Sequence, residues 1–245
     1  MLPPNLRLSQ AHLQLLSLCP PQFQRLYLEP GGQLLRLTDP DFASNSKHLQ
    51  WGKRFHLLMQ QWQLGLPMET ILHQQPELAQ NFQALLTTVP ELQKTPVTQC
   101  QAEHRRHLRV GSVILTVVYD FLHWDGEQAQ ILDWKTSPFP RQDPQKILAS
   151  WQTKLYLYVL AQTSNYPPDR LKMTYWFVKL PQRPRPLTLH YSQSLHEQIG
   201  QELKALLDHW QSWQEAWHNH KTPLPHSAQC ANCPYREIHQ RQWEQ

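Results

Sequence analysis

Two aspartates and a lysine, on either side of a predicted turn, are the residues in this sequence best placed to do chemistry. Asp120 precedes the pair Asp125-Gly126, and Asp133 and Lys135 follow it. An Asp-Gly pair between runs of β-branched and aromatic residues predicts a β-hairpin with a two-residue loop. In that register Asp120 faces Ile131. Because side chains alternate between the two faces of a strand, the three charged residues then share one face of the sheet.

Two carboxylates this close repel each other, and a divalent cation relieves the repulsion. Mg²⁺ and Mn²⁺ prefer hard oxygen ligands, lower the pKa of water and stabilise charge on a phosphate. The ammonium of Lys135 can orient or deprotonate an attacking water. A simpler interpretation is a solvated ion-pair cluster, but Ile131-Leu132 and Val117-Val118 indicate interior strands, where unpaired charge is costly.

A glutamine and a tyrosine form a second polar pair after the hairpin. Gln152 and Tyr156 are four residues apart in a helix predicted over residues 144–163, so they share one helix face. Their amide and phenol groups can contact a phosphate or a water. Taken alone, the pair is better explained by a helix with a polar edge and a buried tyrosine.

The elements that position these residues follow from hydrophobic periodicity. Two short helices are predicted within residues 9–28, broken at Cys19-Pro20. Longer helical patterns occur at residues 49–64, 68–86, 144–163 and 194–218. Short β-branched or aromatic runs predict strands at residues 98–103, 110–122, 129–134, 171–180 and 187–191. This order predicts an α/β fold whose central sheet is mixed, largely antiparallel and flanked by helices, with helical N- and C-terminal segments.

Length and composition set broader limits. The 245 residues suffice for one substantial domain. We predict a helical part (1–90), a catalytic sheet and helix (98–191), and a C-terminal helix with a cysteine-containing tail (194–245). A net charge of +4 fits a nucleic-acid partner without requiring one. No leader or membrane-spanning run is evident, so the expected location is the cytoplasm, with no membrane partner.

Taken together, the motifs resemble the PD-(D/E)XK nuclease superfamily, specifically its RecB-like branch, which includes the CRISPR-associated RecB-like exonucleases. The resemblance implies a restriction-endonuclease-like core. The matching motifs occur in the family's order: the opening segment 8–27 with Cys19-Pro20, Gly52-x-x-x-His56, Asp120, Asp133-Trp134-Lys135, Gln152-x-x-x-Tyr156 and Cys230-x-x-Cys233.

The resemblance implies a role for each matched residue. The ligands of Mg²⁺ or Mn²⁺ would be His56, Asp120, Asp133 and the backbone carbonyl of Trp134. Lys135 would activate or position water, while Gln152 and Tyr156 would orient the scissile strand. Glu103 lies on the strand before the hairpin, where such proteins often carry an acidic residue, and is a further candidate.

A second site is implied near the two ends of the chain. Relatives that bind a four-iron, four-sulfur (4Fe-4S) cluster use one N-terminal and three C-terminal cysteines. Here Cys19, Cys230 and Cys233 occupy three of those positions, and His239 stands at the fourth. Three thiolates and one imidazole can hold an iron–sulfur cluster or Zn²⁺, and a remnant that binds neither is equally compatible.

The sequence thus predicts a metal-dependent deoxyribonuclease, a hydrolase that cleaves DNA phosphodiester bonds in repair, recombination or processing. Two alternatives stay open: a catalytically retired DNA-binding or assembly module with the same fold, and a zinc-binding interaction protein organised around the C-terminal cysteines. The complete set of Asp120, Asp133 and Lys135 argues against both. DNA is the expected partner, and the sequence names no protein partner.

Overall fold

The computed structural model of the protein describes residues 5–29, 47–94, 99–139, 144–179, 183–220, 222 and 224–227. Its contacts divide the chain into two units. The first unit comprises Met1–Ser44, Leu108–Thr116 and Glu197–Gln245. The second unit comprises Asn45–His107 and Val117–His196. His56, Glu103 and all the predicted catalytic residues therefore belong to the second unit.

Helices of the first unit form where apolar residues recur at helical spacing. The predicted break at Cys19-Pro20 is confirmed, because α1 (Gln10–Leu18) ends there and α2 (Pro20–Tyr27) begins with proline, which needs no N–H partner at a helix start. The long helix α9 (Gln193–His220) lies mostly in this unit. The buried ring of Phe23 meets Trp210 of α9 edge-on, with ring centroids 5.3 Å apart, which fixes α9 against α2.

Except for the first, the helices of the second unit are shorter than the periodicity predicts. They are α3 (Lys47–Gln63), α4 (Glu69–Gln74), α5 (Pro76–Thr88), α6 (Pro90–Lys94), α7 (Pro144–Leu148) and α8 (Trp151–Thr163). The single helix predicted over residues 68–86 is wrong, because Pro76 starts a new helix. The helix predicted over residues 144–163 is also interrupted, since Ser150 caps α8 by accepting a hydrogen bond from the Thr153 N–H. No helix in the described residues has both the length and the apolar character needed to cross a membrane.

Within the described part of the chain, six strands form one mixed sheet flanked by helices, as predicted. They are β1 (Leu6–Leu8), β2 (Cys100–Val110), β3 (Val113–Trp124), β4 (Ala129–Lys135), β5 (Leu171–Phe177) and β6 (Arg185–His190). The order is β1-β3-β4-β5-β6, with β2 paired to β3. β1 and β3 are parallel, as are β4 and β5, whereas β3–β4 and β5–β6 are antiparallel.

The strand β2 is longer than the sequence predicts. It continues to Val110 and turns into β3 at Gly111, whose φ of 58° is the left-handed conformation that glycine adopts without strain. β1 was also missed by the periodicity, because three residues carry too little alternation to reveal a strand. Both additions extend the sheet around β3.

The β3–β4 hairpin has a four-residue loop, so the predicted two-residue loop is wrong. Trp124 pairs with Ala129, and the side chain of Asp125 closes the loop by accepting the N–H groups of Glu127 and Gln128, both at 2.8 Å. The register therefore slips by two residues rather than one, which leaves each side chain on the same face. Continuing the ladder places Asp120 opposite Asp133, rather than opposite Ile131 as predicted.

The core of the second unit holds α3 in place. Phe55 and Leu58 of α3 are fully buried in a cluster that includes Phe82 of α5, Leu132 and Trp134. Burying a side chain of this size contributes about 1.5–3 kcal/mol. Because Phe55 is next to His56 in sequence, this packing fixes the position of the imidazole relative to β4.

Candidate functional site

His56, Asp120 and Trp134 form a closed set of contacts between α3, β3 and β4. The Nδ1 atom of His56 lies 3.2 Å from Oδ1 of Asp120, and its Nε2 atom lies 3.1 Å from the backbone oxygen of Trp134. The other oxygen of Asp120 accepts the backbone N–H of Trp134 at 2.8 Å. Both ring nitrogens therefore face oxygen acceptors, which is the arrangement of a doubly protonated imidazolium.

The charge around His56 favours that proton. Burial lowers the pKa of His56, but the hydrogen bond with Asp120 and the negative charges of Asp120, Asp133 and Glu103 together raise the pKa to about 9. A positive charge thus occupies the space between Asp120 and the Trp134 carbonyl at neutral pH. A divalent cation that binds these atoms must displace the proton.

Glu103 joins this group through an unusual backbone conformation. Its φ of 50° lies in the left-handed region, which is rare for a residue other than glycine and costs of the order of 1–3 kcal/mol. The ligand atoms of His56, Glu103 and Asp120 all lie within 4.8 Å of one another. Burial, and after it the charge of Asp120, raises the pKa of Glu103. Three ligating groups from three elements are therefore gathered in one place.

Asp133, Lys135 and Gln152 form a second closed set beside the first. The ammonium of Lys135 forms an ion pair with Oδ1 of Asp133 at 2.6 Å and donates to Oε1 of Gln152 at 2.9 Å. The Nε2 group of Gln152 donates to the other oxygen of Asp133 at 2.5 Å. Burial and then the charge of Asp120 raise the pKa of Asp133 to about 6, although Lys135 partly offsets them. The lysine is thus held in one orientation by two partners.

Tyr156 is buried beside the set formed by Asp133, Lys135 and Gln152 and does not face solvent. It is 4% exposed, and its backbone oxygen accepts the hydroxyl of Tyr119 at 3.0 Å. Burial raises the pKa of the Tyr156 phenol, with the charges of Asp133 and Asp120 adding to it, while a hydrogen bond with Gln152 opposes the shift. We therefore expect Tyr156 to position Gln152 rather than to contact a DNA strand directly.

Tyr175 is a neighbour of the site that the sequence did not reveal. The Lys135 ammonium lies 4.9 Å from the centre of the Tyr175 ring, a cation–π contact. The Tyr175 hydroxyl is 2.6 Å from that of Thr153, one residue after Gln152. Tyr175 is the register partner of Asp133 on the parallel strand β5. Alternation along one strand does not identify its partner, so no local signal marked this residue.

The other predicted centre lies in the first unit and is described only at one end. Cys19 is buried, and its Sγ atom lies 4.0 Å from Nδ1 of His226. Cys230, Cys233 and His239 lie outside the described residues. Binding of an iron–sulfur cluster or Zn²⁺ by these residues stays a prediction from the sequence.

The sequence profile of the PD-(D/E)XK nuclease superfamily matches residues 7–238, which is most of the chain. This protein belongs to that superfamily. The match confirms the predicted resemblance to this superfamily, whereas the RecB-like branch and the roles of the individual site residues stay predictions. No curated protein sequence matches the chain.

Two solved structures are similar to this chain. A candidate exonuclease from Eubacterium rectale has 10% sequence identity, with 93% of each chain covered and a TM-score of 0.51. The protein SSO0001 has 13% identity, with 85% of this chain and 78% of that chain covered and a TM-score of 0.42. At these identities the first likeness shows the fold alone, and the second is too distant to support an argument.

Nucleases of the PD-(D/E)XK superfamily use divalent metals, and the donors here fit such an ion. His56, Glu103 and Asp120 offer one imidazole and two carboxylates within 4.8 Å. Asp133 adds a carboxylate that is only 2% exposed, and Trp134 adds a backbone oxygen close to His56. A set dominated by hard oxygen atoms suits Mg²⁺ or Mn²⁺ rather than a thiolate-seeking metal.

Metal affinity should rise with pH because His56 must lose a proton. With its pKa near 9, we expect the apparent affinity for Mn²⁺ to rise about tenfold per pH unit from pH 7 to 8.5. Below about pH 6 the dependence should steepen, since Asp133 also takes up a proton there. Calorimetric titrations in buffers of different ionisation enthalpy would count the protons released.

The matched control is a histidine of the first unit that is not among these ligands. His218→Asn, in the exposed last turn of α9, should leave the slope unchanged. An affinity that is independent of pH, with no proton released, would contradict the assignment of His56 as a ligand.

Proposed function

We propose that this PD-(D/E)XK protein is a Mg²⁺- or Mn²⁺-dependent deoxyribonuclease. The observation that carries the proposal is the joining of two charge sets at one end of the β3–β4 hairpin. One set is the Lys135–Asp133 ion pair with Gln152, and the other is the His56–Asp120 pair beside Glu103. A structural ion pair would not need both a buried carboxylate, Asp133, beside the partly buried Asp120 and a lysine fixed by two partners.

The residues around the cation divide into ligands and orienting groups. The proposed ligands are His56, Asp120, Asp133 and the carbonyl of Trp134, with Glu103 as a further one. When bound, a divalent cation lowers the pKa of water and stabilises negative charge building on a phosphate. The negative charges that raise the pKa of His56 are the same charges that would attract this ion.

Lys135 provides a fixed positive charge beside the phosphate. Asp133 and Gln152 hold the Lys135 ammonium, so its remaining N–H can point at the attacking water or at a phosphate oxygen. Little further side-chain entropy is lost when it does so. Gln152 in turn has both its amide atoms engaged, so it acts as a brace for Asp133 and Lys135. Tyr156 fixes Gln152 from the buried side.

The substrate is expected to be DNA, and the surface near the ligands offers a cation to bind its backbone. Arg105 is exposed, two residues from Glu103 on β2. Its positive charge partly offsets the burial that raises the pKa of the Glu103 carboxyl. A guanidinium in that position can contact a phosphate next to the scissile one. A role in repair, recombination or processing, in the cytoplasm, is part of the proposal.

A cleavage assay tests the proposal directly. Linear DNA with open ends, and the same DNA with both ends blocked, would be incubated with Mg²⁺, with Mn²⁺ or with EDTA. We expect cleavage that requires the metal and is lost in EDTA, and the two substrates then separate exonuclease from endonuclease action. Product release that is equal with EDTA and with metal, or absent with every divalent ion, would contradict the proposal.

A further inference from the structure

The side of α3 that carries His56 is lined by exposed leucines. Leu49 lies about two helical turns before His56, and Leu57 lies at the next position round the helix after His56. All three line the same cavity. Leu49 and Leu57 are 45% and 50% exposed. The core-facing side of α3 already carries Phe55 and Leu58, both fully buried. The two exposed leucines therefore lie away from this buried core, on the solvent side of the helix.

These leucines form the apolar wall of a cavity of about 460 Å³ that adjoins the candidate metal ligands. His56 and Glu103 line the same cavity, so its floor is shared with the metal site. Lys53 and Gln60 of α3 supply a positive charge and an amide at its edge. The cavity thus combines an apolar wall, a hydrogen-bonding group and a cation with direct access to the site of chemistry.

A close approach of α3 to β4 shapes the cavity. A Cβ atom at Gly52 would lie 3.0 Å from Oγ1 of Thr136, which follows β4 and also lines the cavity. Glycine at this position therefore allows the helix to pass next to the end of the strand that carries Asp133 and Lys135. The leucines and the candidate ligands His56 and Glu103 line the same cavity beside this contact.

We propose that this cavity binds one unstacked nucleobase of the DNA strand, next to the phosphate held at the metal site. The inference rests on the proposed function and adds that the DNA strand is unpaired where it is bound. Leucine side chains on a cavity wall can cover the face of a base, the Gln60 amide can bond to its edge, and Lys53 can meet its phosphate. The volume lies at the lower end of the range for ligand pockets, about 300–1,000 Å³, which suits a single nucleotide.

The geometry selects against an intact duplex. A base in a duplex is stacked between its neighbours and paired along one edge, so its faces cannot reach the leucines. A base in a single strand, or at a frayed end, reaches them at much lower cost. We infer that the enzyme engages DNA whose strand is unpaired at the scissile position.

A fluorescent base analogue tests this inference without requiring cleavage. Single-stranded oligonucleotides carrying 2-aminopurine at successive positions would be titrated with the protein in Ca²⁺, an ion with the same preference for oxygen ligands. We expect the fluorescence to rise on binding at one position only. The double variant Leu49→Ser and Leu57→Ser should abolish that rise and weaken binding about tenfold.

The chain offers a matched control on the same segment. Leu64 and Leu66 are 59% and 47% exposed, just beyond the end of α3, and neither lines the cavity. The double variant Leu64→Ser and Leu66→Ser removes a similar amount of exposed apolar surface and should behave as the wild type does. Mn²⁺ affinity should be unchanged in both double variants, because neither alters a ligand.

The same oligonucleotides annealed into a blunt-ended duplex would be titrated in parallel. Three results would overturn the base pocket: no position-specific rise, an equal rise with that duplex, or equal binding by the Leu49/Leu57 variant and the wild type. Failure of the proposed function is a separate result. Wild-type protein that gives the position-specific rise in Ca²⁺, but does not cleave in Mg²⁺ or Mn²⁺, would overturn nuclease activity and leave the base pocket standing.

Discussion

Lys135→Ala is expected to slow metal-dependent DNA cleavage by about 10²–10⁴-fold while leaving the binding of Mn²⁺ within a fewfold of wild type. The ammonium contacts Asp133, Gln152 and the Tyr175 ring, but it is not a metal ligand. Its removal therefore takes away the group that positions water and offsets phosphate charge. The measurement is the single-turnover rate at saturating Mn²⁺, set beside a calorimetric titration of the ion.

The control for Lys135 is a lysine in the next strand. Lys172 of β5 pairs with Gln130 in register, at the end of β4 opposite to Lys135. Lys172→Ala should retain the wild-type rate. Thermal unfolding of both variants in saturating Mn²⁺ would show that they are folded. Equal single-turnover rates for Lys135→Ala and the wild type would remove Lys135 from the mechanism.

Asp120→Asn is expected to abolish both metal binding and cleavage. Loss of a group that only supports a ligand costs about 10–100-fold in metal affinity, so loss of a charged ligand should exceed that range. The asparagine oxygen can still accept the Trp134 N–H, so the hairpin should keep its shape. Mn²⁺ titration and the cleavage assay would both report the change.

The same variant gives a readout in the metal-free protein. The hydrogen bond with Asp120 is the largest influence that raises the pKa of His56 to about 9. In Asp120→Asn that pKa should fall towards the ordinary value of 6.5, which histidine ring resonances in an NMR titration would show. Asp169→Asn, at an exposed carboxylate in a short 3-10 turn, should change neither the titration nor Mn²⁺ affinity. A His56 pKa unchanged in Asp120→Asn would contradict the pairing.

The convergence of Asp120 with Asp133 and Lys135 was predictable from sequence, even though the predicted loop length was wrong. Side chains repeat every two residues along a strand, so a register error of two leaves the face assignment intact. The order of helices and strands was likewise predictable from periodicity, and the superfamily match agrees with it.

Other parts of the site could not be predicted from local sequence patterns, because they depend on how distant segments pack. Tyr175 reaches Lys135 through the parallel pairing of β4 with β5, a contact between strands separated by two helices in sequence. In the sequence, the exposed leucines of α3 cannot be told apart from the leucines that face the core. Only the packed structure shows which side of the helix is buried. Pro76 and Ser150 are residue types that often start or cap a helix. The apolar periodicity continues across both positions, so the helix breaks there were not predicted.

The left-handed backbone of Glu103 lowers the stability of the folded protein, whereas its carboxylate serves the proposed metal site. The strain, of the order of 1–3 kcal/mol, is present in every folded molecule, with or without a metal, and is absent from the unfolded chain. Glycine would relieve it and would also remove the carboxylate. Related sequences should therefore divide at this position: an acidic residue where selection maintains metal-dependent chemistry, and glycine or asparagine where it has been relaxed. A set of relatives with intact Asp120, Asp133 and Lys135 but glycine here would contradict that expectation.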